Sequence, residues 1–316
     1  MSPTDYPSRA LPETRPTPPW HAGETALQAR VGVAERMAEL GPRVIRDHLI
    51  AQHRAFYRQL PFVVLGTVAP DGEAWATVRT GAPGFLDAPD PGHLRIRAAP
   101  EPDDPAEAGL SDGAALGLLG IDLGTRRRNR LNGTVVRDRP DGFAVRMAQS
   151  FGNCPQYIRV RTDPAPVPAS LAAPRVSHHL DGQARALIGS AETMFVASYA
   201  VGADGRRQVD VSHRGGPAGF VRIGADGVLT VPDYAGNRFF NTLGNLLANP
   251  RAGLLFIDFA TGDLVQMTGH SEVVLDAPDL ADHPGAERLW RVTPRKVIRR
   301  PGAWPLRFAP PTARSR

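Results

Sequence analysis

Apolar positions before residue 60 repeat with helical spacing, in two stripes. The dipeptide Gly41-Pro42 lies between the stripes, and glycine ends helices well while proline starts them. We therefore predict two helices with a break at Gly41-Pro42. The first stripe consists of Leu27, Val31, Ala34 and Met37, and the second of Ile45, Leu49 and Phe56.

From Pro61 the pattern changes to short β-rich runs. A turn at Asp71-Gly72 joins the first two runs, which predicts a hairpin. The last run alternates clearly, because Phe143, Val145 and Met147 share one face. The predicted strands of this half are 62–68, 74–79, 94–97, 115–122, 126–136 and 143–147.

The second half of the chain repeats the first in outline. The run FVVLGTVAPDGEAWATVRTGAPGF from Phe62 returns as FVASYAVGADGRRQVDVSHRGGPAGF from Phe195, an offset of 133 residues. The run GLLGIDLGTRRRNRLNGTV from Gly117 returns as GLLFIDFATGDLVQMTGHSEV from Gly253, an offset of 136 residues. Two antiparallel units with Gly- and Asp-rich turns predict a mainly β fold with some α (β+α), built as two tandem small barrels. A crevice between two related barrels is a natural ligand site.

A Pro- and Ala-rich stretch without periodicity separates the two units and is typical of a linker. The polar, proline-rich start of the chain predicts disorder. The predicted organisation is a disordered N-terminus (1–20), an N-terminal helical segment (21–60), a first barrel domain (61–161), a linker (162–180), a second barrel domain (181–290) and a C-terminal tail (291–316).

Composition narrows the classes of function. A hydrophobic fraction of 42% and a charged fraction of 22% are typical of globular proteins. The net charge is +5, but Lys296 is the only lysine and the arginines are scattered, so we expect no nucleic-acid partner. The single cysteine, Cys154, excludes an internal disulfide framework and multi-cysteine zinc sites. With no apolar leader or membrane span, we expect a cytoplasmic protein without a metal centre or membrane partner.

Two segments of the second half could bind a phosphate. Ser212, His213 and Arg214 end a predicted strand before a Gly-Gly pair, and a hydroxyl, a cation and unshielded backbone N–H groups suit an anion. A second group precedes a short helix, whose orphan N–H groups and dipole also favour an anion. The alternative is structural, with a simple turn, an N-cap and a solvated surface charge. The second group consists of Asn237, Arg238, Asn241 and Thr242.

The first half carries a run of arginines in TRRRNRLNG from Thr125. Strand alternation predicts that Arg126, Arg128 and Arg130 face one way and Arg127 the other. Three guanidinium groups on one face need an anionic partner or solvent, and an exposed edge strand would supply the solvent.

The segment SFGNCPQYI from Ser150 closes the first unit with a bend. Its polar groups, from Asn153, Cys154 and Gln156, could face a ligand ring that needs directional hydrogen bonds. A lone cysteine is more often simply buried. The chain has neither a Gly-x-Gly-x-x-Gly after a strand nor a Walker loop, so Rossmann and P-loop enzymes are not supported.

Several of these motifs resemble the flavin-nucleotide-binding branch of the pyridoxamine 5'-phosphate oxidase family. The resemblance implies two tandem FMN-binding split β-barrel domains, with the flavin between them and FAD as the alternative to FMN. It matches Arg214 to the family's phosphate-binding basic residue and Asn237 to Thr242 to its Ser-Arg-Lys loop. The motifs are QHRAFYRQLPF from Gln52, TGAPGF from Thr80, GIDLGTRRRNRLNG from Gly120, SFGNCPQYI from Ser150, and NTLGNLLANPRAGLLFIDFATGDLVQMTG from Asn241.

The chain also departs from the oxidases of that family. The loop NRFFNT lacks their adjacent pair of basic residues, and Val209 lies where they tend to carry an arginine. The tail WPLRFAP from Trp304 resembles their substrate-binding end only loosely. We therefore do not expect oxidation of pyridoxamine phosphate itself.

The resemblance and the residues together predict a flavin-dependent oxidoreductase with a small-molecule substrate and NAD(P)H as electron donor. The isoalloxazine ring is expected near Asn153 and Gln156, and no side chain stands out as a catalytic acid or base. The alternatives are a non-catalytic flavin or nucleotide carrier, a redox sensor, or a haem protein with His213 and His270 as candidate axial ligands; a homodimer stays open. The predicted cofactor-binding residues are Ser212, His213, Arg214, Asn237, Arg238, Asn241, Thr242, Arg126, Arg128, Asn153 and Gln156.

Overall fold

A computed structural model describes residues 19–137, 139–202 and 204–309. The segment predicted to be disordered therefore lies, apart from its last two residues, outside the described residues. No described helix is long and apolar enough to cross a membrane. The helices are α1 (Ala22–Arg30), α2 (Ala34–Val44), α3 (Ala51–Gln59), α4 (Gly182–Ser190) and α5 (Asn241–Ala248).

The predicted helix break at Gly41-Pro42 is wrong, because α2 runs through both residues. Gly41 serves close packing instead, since a Cβ there would lie 2.9 Å from the indole nitrogen of Trp20. That indole donates a hydrogen bond to the Met37 carbonyl at 3.0 Å. The chain turns at Gly32, whose φ of +70° is left-handed, just after α1. The segment thus holds three helices instead of the two predicted.

Seven strands of the first half form one antiparallel sheet. Its order is β2-β1-β5-β6-β7-β4-β3, so the arginine-bearing strand β6 is internal and the edge-strand alternative is wrong. The strands are β1 (Phe62–Val68), β2 (Ala74–Thr80), β3 (Leu86–Asp90), β4 (His93–Ile96), β5 (Ala115–Asp122), β6 (Arg127–Val136) and β7 (Phe143–Asn153).

The residues between the halves are tied to the second half. Strand β8 (Ala165–Pro166) pairs with a short strand near the C-terminus, and β9 (Arg175–Ser177) pairs with residues 297–299 of a long internal strand of the second sheet. The remaining strands are β10 (Thr193–Val201), β11 (Arg207–Gly215), β12 (Arg222–Ile223), β13 (Leu229–Tyr234), β14 (Arg251–Ile257), β15 (Leu264–Val274), β16 (Ala286–Arg300) and β17 (Leu306–Arg307).

The second sheet repeats the first strand for strand. Its order is β11-β10-β14-β15-β16-β13-β12, which is the order of the first sheet with each number raised by nine. The predicted fold class is therefore confirmed: two tandem units of one mainly β architecture follow a helical segment. Each unit also has its own apolar core.

The two sheets pack face to face over a shared apolar core that includes Phe62, Phe195 and Trp304. Trp304 is fully buried and lies edge-on to Phe62, with ring centroids 5.5 Å apart. The tail around Trp304 is thus part of the core between the halves. Glycine permits this close approach, because a Cβ on Gly253 would lie 2.4 Å from the Ala74 carbonyl oxygen.

Candidate functional site

One cavity between the halves collects ten of the eleven predicted cofactor-binding residues. Its volume is about 110 Å³. The exception is Arg126, which lies exposed in the turn before β6 with a φ of +59°. Cofactor binding by these residues stays a prediction. The ten are Ser212, His213, Arg214, Asn237, Arg238, Asn241, Thr242, Arg128, Asn153 and Gln156.

Both halves of the chain supply walls of this cavity. Strand β6 and the end of β7 form one wall, and β11, β13 and the start of α5 form the other. Alternation on β6 directs Arg128 and Arg130 into the cavity. Arg127 faces the other way and lies over the ring of Phe56 at 4.5 Å. The predicted alternation is confirmed for these three arginines but is wrong for Arg126, which was expected to face the same way as Arg128 and lies in the turn before the strand.

Arg130 organises the inner end of the cavity. Its guanidinium donates to Asp210 at 3.0 Å, to the Asn241 side-chain oxygen at 2.8 Å, and to the Ser212 hydroxyl. Thr242 in turn donates to the Ser212 hydroxyl at 2.8 Å. Asn241 is therefore not the N-cap of α5; Phe240 holds that position, in a left-handed conformation. The network fixes the positions of three predicted residues, Ser212, Asn241 and Thr242, before any ligand enters.

Two further arginines of the cavity have carboxylate partners. Arg214 donates to Asp233 at 2.7 Å, and Arg238 makes a two-pronged contact with Glu287. Arg238 is thus not a freely solvated surface charge. Pairing of this kind offsets most of each guanidinium charge at short range.

Arg128 has no carboxylate partner among the described residues. Its Nε donates to the Cys154 carbonyl at 2.7 Å, and one Nη lies 3.2 Å from Nδ1 of His213. Burial, with the nearby charges of Arg130 and Arg214, lowers the pKa of Arg128 to about 10. It is still a cation at pH 7. The cavity therefore holds an uncompensated positive charge that an anion would stabilise.

His213 presents an N–H without an acceptor. Burial, followed by the charges of Arg128 and Arg214, holds its pKa well below 6.5, so the ring is neutral at pH 7. Arginine can only donate, so Nδ1 of His213 accepts and Nε2 carries the proton. That Nε2 is buried and unpaired within the described part of the chain, as are Nε of Arg214 and Nδ2 of Asn153. Buried donors of this kind need an acceptor, which a ligand oxygen could supply.

Glu24 on α1 was missed by sequence reasoning. It is 3% exposed and accepts hydrogen bonds from the backbone N–H of His21 and the side chain of Asn241. Burial, and then the charge of Asp210, raise the pKa of Glu24 to about 8. The capping box of His21 and Glu24 was the available signal, but histidine is an uncommon N-cap. Helix α1 thus reaches the inner end of the cavity.

The repeat-related position on the other side of the molecule carries ion pairs of the chain itself. Arg79, the residue equivalent to Ser212 in the repeat, is 1% exposed. Its guanidinium contacts Asp104 at 2.6 Å and Glu107 at 2.7 Å. Gln266 of the second half donates to Asp104 at 2.9 Å. Carboxylates of the chain itself therefore compensate the charge of Arg79, whereas Arg128 has none within ion-pair distance among the described residues.

Comparison with known proteins gives a family match. The sequence model described as pyridoxamine 5'-phosphate oxidase matches residues 49–173 and 180–300. No curated protein sequence matches the chain.

Solved structures match less than half of the chain. HupZ from Group A Streptococcus is 14% identical, with 36% of this chain and 89% of HupZ covered and a TM-score of 0.28. HutZ, described as a heme storage protein from Vibrio cholerae, is 14% identical over 40% of this chain and 97% of its own, with a TM-score of 0.27. An FAD binding protein from Mycobacterium smegmatis is 16% identical over 40% and 98%, with a TM-score of 0.27.

Proposed function

The chain belongs to the pyridoxamine 5'-phosphate oxidase family, and we propose that it is a flavoprotein that binds FMN in the cavity between its halves. The observation that carries the proposal is the uncompensated charge of Arg128 beside the unpaired donors of His213 and Arg214. A phosphate monoester provides both the negative charge and several acceptor oxygens. The residues therefore fit the phosphate end of a flavin mononucleotide.

The chain's own residues bind and orient this ligand. Ser212 and Thr242 are fixed by Arg130, which leaves Arg128 to contact the ligand anion. The carboxylates of the cavity, Asp233 and Glu287, are both held in ion pairs, so neither is free to act as an acid or base. The bound flavin ring would supply the hydride chemistry. We propose an oxidoreductase in which the protein positions the ring and a nicotinamide donor reduces it.

The haem alternative has less support. A histidine that ligates iron through Nε2 donates its Nδ1 proton to a partner, whereas Nδ1 of His213 accepts from Arg128. His270, the second candidate, lies exposed on β15 and lines a separate groove with Arg291. The two histidines therefore do not face one site.

A titration with FMN and riboflavin tests the proposal. The wild-type protein should bind FMN, with paired flavin bands in the visible spectrum, and should bind riboflavin more weakly because riboflavin lacks the phosphate. Arg128→Gln should lose most of that preference, because a charge-assisted phosphate contact contributes about 1.5–3 kcal/mol. Arg127→Gln, on the opposite face of the same strand, is the matched control and should behave like the wild type.

Reduction of the bound flavin by a nicotinamide donor distinguishes an oxidoreductase from a flavin carrier. Bleaching of the bound flavin bands by NADH or NADPH would support an oxidoreductase, and bands that persist would favour a carrier. A protein that binds neither flavin at micromolar concentrations would refute the proposed function altogether.

A further inference from the structure

Tyr157 lies at the mouth of the cavity and is 43% exposed. Its ring stacks on that of Tyr234, with centroids 5.2 Å apart and planes at 24°. Its hydroxyl donates to the Ala235 carbonyl at 3.1 Å. The ring is thus held in place by the protein on one side while much of its surface remains open to solvent.

The backbone of Tyr157 is left-handed, with a φ of +63°. For a bulky residue this conformation is a genuine outlier, because Cβ meets the neighbouring carbonyl. Glycine or asparagine would adopt it at lower cost in free energy. Strained residues of this kind cluster at ligand-binding positions, where the side chain is needed.

The backbone of Tyr157 lies directly against Gly215 on β11. A Cβ on Gly215 would lie 2.1 Å from the carbonyl oxygen of Tyr157. Only glycine therefore allows the Tyr157 segment to lie against the end of β11. Two separate residues, one strained and one without a side chain, thus place the same ring at the cavity mouth.

The ring borders the cationic end of the site. Arg128 and Arg238 line the same cavity as Tyr157 and Tyr234. A cavity of about 110 Å³ is smaller than the roughly 300–1,000 Å³ of pockets that enclose drug-sized ligands. A nucleotide that places its phosphate against Arg128 must therefore lay its planar ring at the open mouth.

We propose that Tyr157, backed by Tyr234, is a stacking subsite for the planar aromatic ring of a nucleotide whose phosphate lies in the cavity. The proposal rests on the proposed function for the anion end of that ligand. The ring is either the isoalloxazine of the flavin or a ring of a nicotinamide dinucleotide. Both present a flat π-face, and stacking on an aromatic side chain tolerates either.

Three variants distinguish the effect of the Tyr157 ring from the effect of its strained backbone. Tyr157→Asn and Tyr157→Gly remove the ring and suit a positive φ, so both should unfold at a higher urea concentration than the wild type. Tyr157→Phe keeps the ring and loses only the hydroxyl contact to Ala235. A tyrosine with a purely structural role would instead give less stable Asn and Gly variants.

The binding probes are FMN, NADPH and ribose 5-phosphate. The Asn and Gly variants should bind FMN, NADPH or both about 5- to 150-fold more weakly than the wild type, which is the range that stacking on one aromatic side chain contributes. Tyr157→Phe should keep wild-type affinity. Ribose 5-phosphate, which has the anion without an aromatic ring, should bind all four proteins equally.

The pattern of losses identifies the ring and separates this proposal from the proposed function. A loss with FMN assigns the isoalloxazine, and a loss with NADPH alone assigns the dinucleotide. Wild-type protein that binds NADPH through Tyr157 but no FMN would support the subsite and refute the flavoprotein. Equal affinity of all four proteins for both nucleotides, or no binding of either, would overturn the subsite.

Discussion

Arg79, which is buried, and Arg128, which is half-buried, differ in their electrostatic surroundings. Arg79 contacts two carboxylates within 3 Å, whereas Arg128 has none within ion-pair distance in the described ranges. Removing one member of a buried ion pair leaves the other charge unpaired and destabilises the fold. Arg79 therefore contributes to stability. Arg128 has no such partner to lose. Its charge is available to a ligand, which is why it carries the proposed function.

Glu24 should give stability a pH dependence. Its pKa is about 8 in the folded protein and near 4.5 when exposed, so the folded state holds a proton that the unfolded state releases between these values. The free energy of unfolding should therefore fall as pH rises from about 4.5 to about 8. Glu24→Gln should flatten this fall by up to about 1.4 kcal/mol per pH unit.

Urea unfolding of both proteins at several pH values between 5 and 8 measures the effect of Glu24. The comparison between wild type and variant cancels the other titrating groups that the two proteins share. Parallel pH profiles would contradict a shifted pKa at Glu24.

At the scale of elements, the contact between α1 and α5 closes the inner end of the cavity. Gly244 on α5 lies against the backbone of α1, where a Cβ would be 2.7 Å from the backbone nitrogen of Glu24. Gly23 makes the reciprocal contact with the Gly244 carbonyl. The two helices thus approach as closely as their backbones allow.

Gly244→Ala should push α1 away from α5, lower the free energy of unfolding by about 1–3 kcal/mol, and weaken FMN binding. Gly189→Ala in α4 is the matched control, because nothing lies within 4 Å of a Cβ there. That control should stabilise the protein by up to about 1 kcal/mol through helix propensity. Thermal melts and FMN titrations of both variants measure these effects, and a neutral Gly244→Ala would show that the helices are free to separate.

Periodicity predicted the elements whose burial follows their own pattern. The β1–β2 hairpin and β5 lie where the sequence placed them, within one residue. Strand β7 runs six residues beyond the predicted Met147. Its last part is polar, and Ser150 there is buried because it pairs with His53 of α3. A polar position satisfied by a distant partner leaves no periodic signal.

The same limit applies to the cavity. Ser212, His213 and Arg214 could be proposed because they are neighbours in a motif. Asp210 and Glu24 could not, because their partners Arg130 and Asn241 lie 80 and 217 residues away. Local spacing identifies which side chains could bind an anion, and only the assembled fold shows which of them are already neutralised.

For the whole molecule, the internal repeat raises the question of how many flavins one chain binds. Arg79, at the position that repeats Ser212, is paired with carboxylates of the chain, so it is not available to a phosphate and we expect the chain to bind one FMN. A calorimetric titration should give one equivalent per chain with a single affinity. Two equivalents would mean that the Arg79 cluster opens, and would show that the repeat retains two working sites.

Both walls of the cavity belong to one polypeptide, joined through residues that pair as β8 and β9 with the second half. A site shared by two separate subunits comes apart when dilution dissociates them, so its occupancy depends on how much protein is present. In this chain the two walls associate intramolecularly, so their association does not depend on the protein concentration. Such a site stays assembled in a cell that makes only a few copies. Each wall can also change without a matching change in the other, as the ion pair of Arg79, at the position that repeats Ser212, illustrates.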